Sequence, residues 1–218
     1  MISEKAVRVL KSLVLPLLLY LILFNPFFSE QDQHITITMS SAFLSLGIAL
    51  CQLALFIFVM AKVNRLSLAD TGLFSFSYKT MLKLIPSMLI IWGIYFAGIL
   101  MLLLATGSAE DPAIITLVLD APLWMLALMM LGIGYCEEFF FRIYLVETMG
   151  TVFGKKVAII ISAVFFALGH LYQGSLAVYV IFFLGLGFQW IYSRYRSIHV
   201  NAITHAMFDV ISVLLKGF

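Results

Sequence analysis

The sequence predicts an all-α fold, a polytopic membrane bundle of about seven transmembrane helices. Of its 218 residues, 63% are apolar and only 11% are charged, whereas soluble domains carry about 45–50% apolar and about 25% charged residues. The mean hydropathy is +1.11, and the apolar residues fall into seven runs separated by short polar segments. So little polar material cannot cover a water-facing surface. We therefore expect a lipid bilayer around the protein and no nucleic-acid partner.

A helix that crosses a bilayer contains roughly 20 mostly apolar residues, and seven segments of the chain approach or exceed this length. The candidates are residues 12–28, 39–61, 80–105, 113–149, 157–172, 176–192 and 198–215. The fourth run is too long for one ordinary span. Either it tilts strongly, or it begins with an interfacial segment and the span proper starts near Pro122. The chain is expected to be a single membrane domain over residues 1–218, with N-terminal scaffold helices in residues 1–112.

Basic residues lie on alternate connectors, and this pattern predicts the orientation. Cytoplasmic loops are enriched in Lys and Arg, so the pattern places the N-terminus in the cytoplasm, with the cell membrane as the expected location. No small-residue cleavage site follows the first apolar run, which is therefore expected to be a retained span. On the cytoplasmic side this arrangement puts Lys5, Arg8, Lys11, Lys62, Arg65, Lys79, Lys83, Lys155, Lys156, Arg194 and Arg196. On the opposite side it puts Glu30, Asp32, Glu110 and Asp111.

Ionisable side chains are concentrated in the last four predicted spans. Each costs roughly 2.5–3.5 kcal/mol near the bilayer centre, so such residues face the bundle interior and usually serve a function. The first three spans contain almost none, which indicates that function resides in residues 113–218. The residues concerned are Glu137, Glu138, Arg142, His170, His205 and Asp209.

The two adjacent glutamates face different directions. Glu138 and Arg142 are four residues apart on one helix, the spacing of a charge pair that neutralises itself. Glu137 is turned by about 100° from Glu138 and has no cation on its own face of the helix, so it is the candidate general acid or base. The structural alternative is an inert hydrogen bond within the bundle.

Two histidines accompany Glu137 at a similar predicted depth. The helical rise of about 1.5 Å per residue places Glu137, His170 and His205 well inside the membrane on three helices. Asp209, one turn after His205, can fix the tautomer of that imidazole. Taken alone, His170 would be a core residue, and His205 with Asp209 a structural pair. His199, at the start of a helix, is expected to be solvated.

Both cysteines lie in apolar runs without a CxxC motif. Cys51 and Cys136 are expected to be buried packing residues, although a thiol beside Glu137 is a conceivable nucleophile.

Three short motifs carry a resemblance to a known family. They resemble the EExxxR, FxxxH and HxxxN/D signatures of the CPBP family, which comprises the CAAX proteases and the bacteriocin-processing or self-immunity proteins called Abi. The resemblance extends from about Gly134 to the C-terminus. Here the motifs read Glu137-Glu138-Phe-Phe-Phe-Arg142, Phe166-Ala-Leu-Gly-His170 and His205-Ala-Met-Phe-Asp209.

The resemblance implies an intramembrane glutamic endopeptidase without a cofactor, acting on a peptide or a membrane protein. Residues 113–218 would be its catalytic core, in which Glu137 and His170 activate a water and His205 and Asp209 form the oxyanion site. The supporting residues would be Glu138, Arg142 and Phe166. An Asp stands at position 209 where the eukaryotic enzyme carries Asn, and an ionised carboxylate cannot donate to an oxyanion. Asp209 is therefore either protonated or, as we favour, orients His205.

Two alternatives keep the same residues in other roles. Glu137, His170 and His205 could bind zinc, because two His and one carboxylate form a known catalytic set; the HExxH spacing of zinc proteases is absent, however. The second alternative is a non-enzymatic protein: an immunity factor, a scaffold or a transport protein. Intramembrane Glu, His and Arg also mark proton-coupled transport. No internal repeat typical of transporters is found.

Overall fold

A computed structural model describes residues 7, 10–23, 34–74, 76–107 and 116–216. The predicted all-α bundle is confirmed, with seven helices in this part of the chain. The helices are α1 (Leu10–Leu23), α2 (Met39–Val63), α3 (Tyr78–Thr106), α4 (Leu123–Phe153), α5 (Lys155–Leu168), α6 (Ser175–Tyr195) and α7 (Ile198–Lys216).

The helices differ in their capacity to cross a bilayer. Five of them, namely α2, α3, α4, α6 and α7, are long and apolar enough to do so. The other two are shorter, and α5, with 14 residues, would extend about 21 Å against a hydrocarbon core of about 30 Å. The first predicted span continued into residues 24–28, which lie outside the described residues.

The fourth apolar run contains a strand before its helix. Helix α4 begins at Leu123, with Pro122 as its N-cap residue, which agrees with the second of the two alternatives, a helix that starts near Pro122. Residues Thr116–Leu119 form strand β2, which pairs in parallel with strand β1 (His34–Ile37). No strand was predicted here from the sequence, although β-branched residues at alternate positions favour this conformation.

Helix α4 lies between α2 and α7, and glycines allow the close approach. A methyl group at Gly134 would lie 2.8 Å from the backbone oxygen of Ala202 on α7, and one at Gly132 would collide with Leu46 on α2. Small residues at such positions let membrane helices pack backbone to backbone. As a result, the carboxylates of α4 come within reach of the polar residues of α7.

A turn of different helical pitch follows the paired glutamates. Residues Phe139–Tyr144 of α4 are π-helical, a conformation that occurs mostly as short insertions at functional sites. The hydroxyl of Ser162 on α5 donates to the backbone oxygen of Phe141 within this turn. This contact holds α5 against the segment that carries Arg142.

The basic connectors gather at one end of the bundle. Lys11 donates to the backbone oxygen of Val63 over 2.9 Å, and Tyr192 donates to that of Thr71 over 3.4 Å. These contacts bring the start of α1, the α2–α3 connector and the end of α6 together. Lys5, Arg8 and the acidic residues Glu30, Asp32, Glu110 and Asp111 lie outside the described residues.

Two expectations about single side chains are wrong. His199 is not simply solvated: its Nε2 donates to the backbone oxygen of Leu73 over 3.0 Å, and its Nδ1 accepts from Tyr135 over 2.7 Å. Of the two thiols, Cys136 is buried as expected, but Cys51 is exposed on the outer surface of the bundle.

Candidate active site

Glu138 is the centre of a fully buried polar cluster. Its carboxylate accepts hydrogen bonds from Arg142 Nε over 3.1 Å and from Arg142 Nη2 over 3.4 Å. On the other side it accepts from Asn201 Nδ2 over 2.8 Å and pairs with His205 Nδ1 at 3.0 Å. The charge pair expected from the four-residue spacing is present, and it extends to two residues of α7. Glu138 therefore joins α4 to α7.

The guanidinium of Arg142 is enclosed by aromatic rings. Its Cζ lies 4.3 Å from the centroid of the Phe166 ring and 5.8 Å from those of Phe141 and Phe188. Ring faces attract a desolvated cation. Together with Glu138, they stabilise a charge that would otherwise be costly in the bundle interior.

His205 presents its two nitrogens to different carboxylates. The ionised carboxylate of Glu138 can only accept hydrogen bonds, so Nδ1 of His205 is the donor to Glu138. The other nitrogen, Nε2, lies 3.5 Å from Asp209 Oδ2 and 3.9 Å from Glu137 Oε2. The ring stacks on Phe188 with centroids 4.8 Å apart. His205 is thus fixed in orientation, with Nε2 directed towards Glu137.

His170 is oriented by the backbone of the preceding helix α5, and it lies outside that helix, contrary to the prediction from the sequence. It lies in the turn that follows α5, and its Nδ1 is 2.8 Å from the backbone oxygen of Phe166. A carbonyl oxygen only accepts, so Nδ1 carries the hydrogen and Nε2 keeps a lone pair in the neutral ring. The ring of Phe166 contacts both imidazoles, at 4.8 Å for His170 and 5.8 Å for His205.

A cavity of about 280 Å³ contains Glu137 and His170. The side chain of Glu137 is 16% exposed, and its buried Oε2 has no hydrogen-bond partner among the atoms that the structure describes. This volume is large enough for several water molecules. The cavity lies between α2, α4 and the end of α5, and its walls include Ala49, Gln52, Cys136, Glu137, Phe166 and His170.

The geometry agrees with a comparison to known families. Residues 119–211 match the family described as type II CAAX prenyl endopeptidase Rce1-like. This segment is CAAX-protease-like. The predicted resemblance is confirmed over this range, which contains all three motifs. Searches of the curated proteins and of the solved structures gave no match.

The match supports CAAX-type protease activity, with peptide or protein substrates, in a multi-pass membrane protein. It does not distinguish a glutamic from a metal-dependent mechanism. Within the described ranges, no three His, Cys, Asp or Glu side chains are arranged to hold a metal ion.

The CAAX-protease-like segment brings the expected residues together. Glu137 and Asp209 both lie within 4 Å of His205, and Glu137 shares its cavity with His170. One relation differs from the expectation, because Glu138 at Nδ1 is closer to the His205 ring than Asp209 is.

Sequence reasoning missed three residues around this site. Asn201 binds both Glu138 and the backbone oxygen of Phe188, each over 2.8 Å. It precedes His205 by four residues, so its polarity on the same helical face was an available signal. Gln52 is the one amide within α2. The ring of Phe188, which stacks on His205, gave no signal among so many apolar residues.

Proposed function

We propose that the protein is an intramembrane glutamic endopeptidase in which Glu137 activates a water. The observation that carries this proposal is the position of Glu137 Oε2, which accepts no hydrogen bond from the described residues and lies 3.9 Å from His205 Nε2 beside a cavity. This distance is too long for a direct hydrogen bond. It does allow one oxygen atom to lie at hydrogen-bond distance from both atoms. Such an atom would be the water or, later, an oxygen of the reacting peptide.

The chemistry follows from the orientation of the three groups. Glu137 takes one proton from the water, while the lone pair of His170 Nε2 accepts a hydrogen bond from the other O–H. The water oxygen bonds to the peptide carbonyl carbon, and the C=O electron pair moves onto the carbonyl oxygen to give an oxyanion. The C=O bond then re-forms as the C–N bond breaks. Glu137 returns its proton to the leaving nitrogen. The substrate must be extended, since a helical backbone keeps its carbonyls in hydrogen bonds.

In this proposal His205 stabilises the oxyanion through Nε2. Its Nδ1 already donates to Glu138, so donation from Nε2 requires the doubly protonated ring. The carboxylates of Glu137, Glu138 and Asp209 all lie within 4 Å of the ring and compensate its charge. Glu138 thus fixes the ring from one side. Asp209 accepts the hydrogen bond from Nε2 until the substrate oxygen takes the place of Asp209 as the acceptor.

A prenylated CAAX peptide is the substrate to test first, because the matched family is described as a prenyl endopeptidase. The purified protein in lipid vesicles should release the last three residues of a farnesylated peptide, as detected by mass spectrometry. We expect the rate to be the same with and without EDTA, because proton transfer by Glu137 requires no metal. Loss of activity in EDTA that zinc restores would instead establish the zinc-dependent alternative.

We also propose that the N-terminus lies in the cytoplasm of a cell-membrane protein. The support is the cluster of basic connectors at one end of the bundle. A reporter enzyme that is active only after export should be active when it follows the last residue and inactive when it is fused after Arg196. The reverse pattern would show the opposite orientation.

A further inference from the structure

Helix α2 carries one amide side chain near its midpoint, in an otherwise apolar stretch. Gln52 lies between Cys51 and Leu53, and no other Asn or Gln occurs in Met39–Val63. An amide in an apolar environment is costly unless it is hydrogen-bonded. The position of Gln52 on a helix outside the CAAX-protease-like segment therefore needs a physical explanation.

Both polar atoms of Gln52 have partners, and both keep capacity for the substrate. Its Nε2 donates to the backbone oxygen of Leu23 over 3.2 Å, and its Oε1 accepts from the thiol of Cys136 over 3.4 Å. The carbonyl can only accept, so the orientation of the amide is defined. A thiol is a weak donor, and a peptide N–H would be a stronger donor to Oε1. The amide nitrogen carries two hydrogens, and its contact with Leu23 uses one of them.

The location of Gln52 indicates what would replace them. Gln52, Glu137 and His170 line the same cavity, and the Cys136 partner directly precedes Glu137. An extended peptide in this cavity exposes an N–H and a C=O from each residue. A glutamine amide offers one acceptor and donors in one plane, so it can bind the N–H and the C=O of one extended residue, which point to the same side.

We propose that Gln52 binds the backbone N–H and C=O of one extended residue of the substrate. Its Oε1 exchanges the Cys136 thiol for the substrate N–H, and Nε2 donates a hydrogen to the substrate C=O. This inference rests on the proposed endopeptidase function. It makes α2 one wall of the substrate site, so the N-terminal helices contribute recognition as well as support. Recognition of the backbone would act on any extended substrate, whatever its side chains.

The test compares two glutamines that differ in location. For Gln52→Leu we expect KM to rise about tenfold through loss of the hydrogen bonds, with little change in kcat, because the contact is the same in ground and transition states. Gln189→Leu is the matched control, since Gln189 is a buried amide of α6 that donates to Ser193. It should leave KM for the farnesylated peptide unchanged.

A binding measurement separates this inference from the proposed function. The Kd of a fluorescently labelled farnesylated peptide is measured for the Glu137→Gln variant, with and without the additional Gln52→Leu substitution. We expect the same tenfold weakening. Unchanged KM and Kd, with wild-type cleavage intact, would overturn the role of Gln52 alone. A Gln52-dependent Kd without any cleavage by the wild type would support the contact and overturn the endopeptidase.

A variant that retains the side-chain length covers a failure of Gln52→Leu to fold. Gln52→Met has nearly the same size and shape, is apolar like most of α2, and lacks the amide donors and acceptor. We expect the same rise in KM as for Gln52→Leu, at an unfolding temperature close to that of the wild type. An unchanged KM in folded Gln52→Met would overturn the proposal.

Discussion

Glu137→Gln is expected to reduce kcat/KM for the farnesylated peptide by at least about a thousandfold, within the range attributed to general acid–base catalysis. Glutamine has the shape of glutamate but cannot accept the proton of the attacking water. Glu138 and Asp209 remain within 4 Å of the His205 ring after this substitution and still compensate its charge, so folding should not suffer. The measurement is the cleavage rate in lipid vesicles, together with thermal unfolding of the same preparation.

The matched control lies on the same helix. Glu147 of α4 is 36% exposed and pairs with Lys155 over 3.0 Å at the end of the bundle. Glu147→Gln removes the same charge from α4 without reaching the cavity, and we expect its cleavage rate to equal that of the wild type. A parallel loss in both variants would indicate a general effect of charge on the protein and not a catalytic role.

Two outcomes would contradict the proposal. Full activity of Glu137→Gln would exclude Glu137 as the general base. A Glu137→Ala variant that cleaves nothing, yet still confers the cellular phenotype of the wild type, would favour the immunity, scaffold or transport alternatives. These alternatives need the buried polar residues for structure or proton movement, but they do not need an attacking water.

The helices could be predicted because the bilayer imposes a simple rule on sequence. A spanning segment must be apolar over most of its length, so α2, α3, α6 and α7 are visible as runs of apolar residues. The run at residues 113–149 was ambiguous because its first part is equally apolar. Only the structure shows that Thr116–Leu119 pairs with His34–Ile37 as a strand, since such pairing depends on a segment about eighty residues away.

The contacts within one helix could also be predicted, whereas most contacts between helices could not. The four-residue spacing of Glu138 and Arg142 already indicates their pairing. That His205 joins this pair through Nδ1 depends on how deeply α7 packs against Gly134. A shift of α7 by one residue would turn His205 by about 100°. The location of Gln52 could not be predicted for the same reason, because it depends on the cavity that α2 and α4 enclose.

Single substitutions in the Glu138–Arg142 pair are expected to cause the largest loss of stability. Both side chains are completely buried, and removal of one partner leaves an uncompensated charge that costs about 3–5 kcal/mol. We expect Arg142→Met and Glu138→Leu each to lower the free energy of unfolding by about this amount. The measurement is denaturant unfolding in mixed micelles. Lys155→Met, at the exposed pair with Glu147, should cost less than about 1 kcal/mol.

The double variant separates stability from catalysis. With both charges removed, neither Glu138 nor Arg142 is left as a buried charge without its counterion. The decrease in the free energy of unfolding should therefore be smaller than the sum of the two single decreases by at least about 2 kcal/mol. Cleavage should not return. Without Glu138, the Nδ1 of His205 loses its acceptor at 3.0 Å, and Nε2 is no longer held towards Glu137. A double variant that regained both stability and cleavage would show that Glu138 only neutralises Arg142 and does not orient His205.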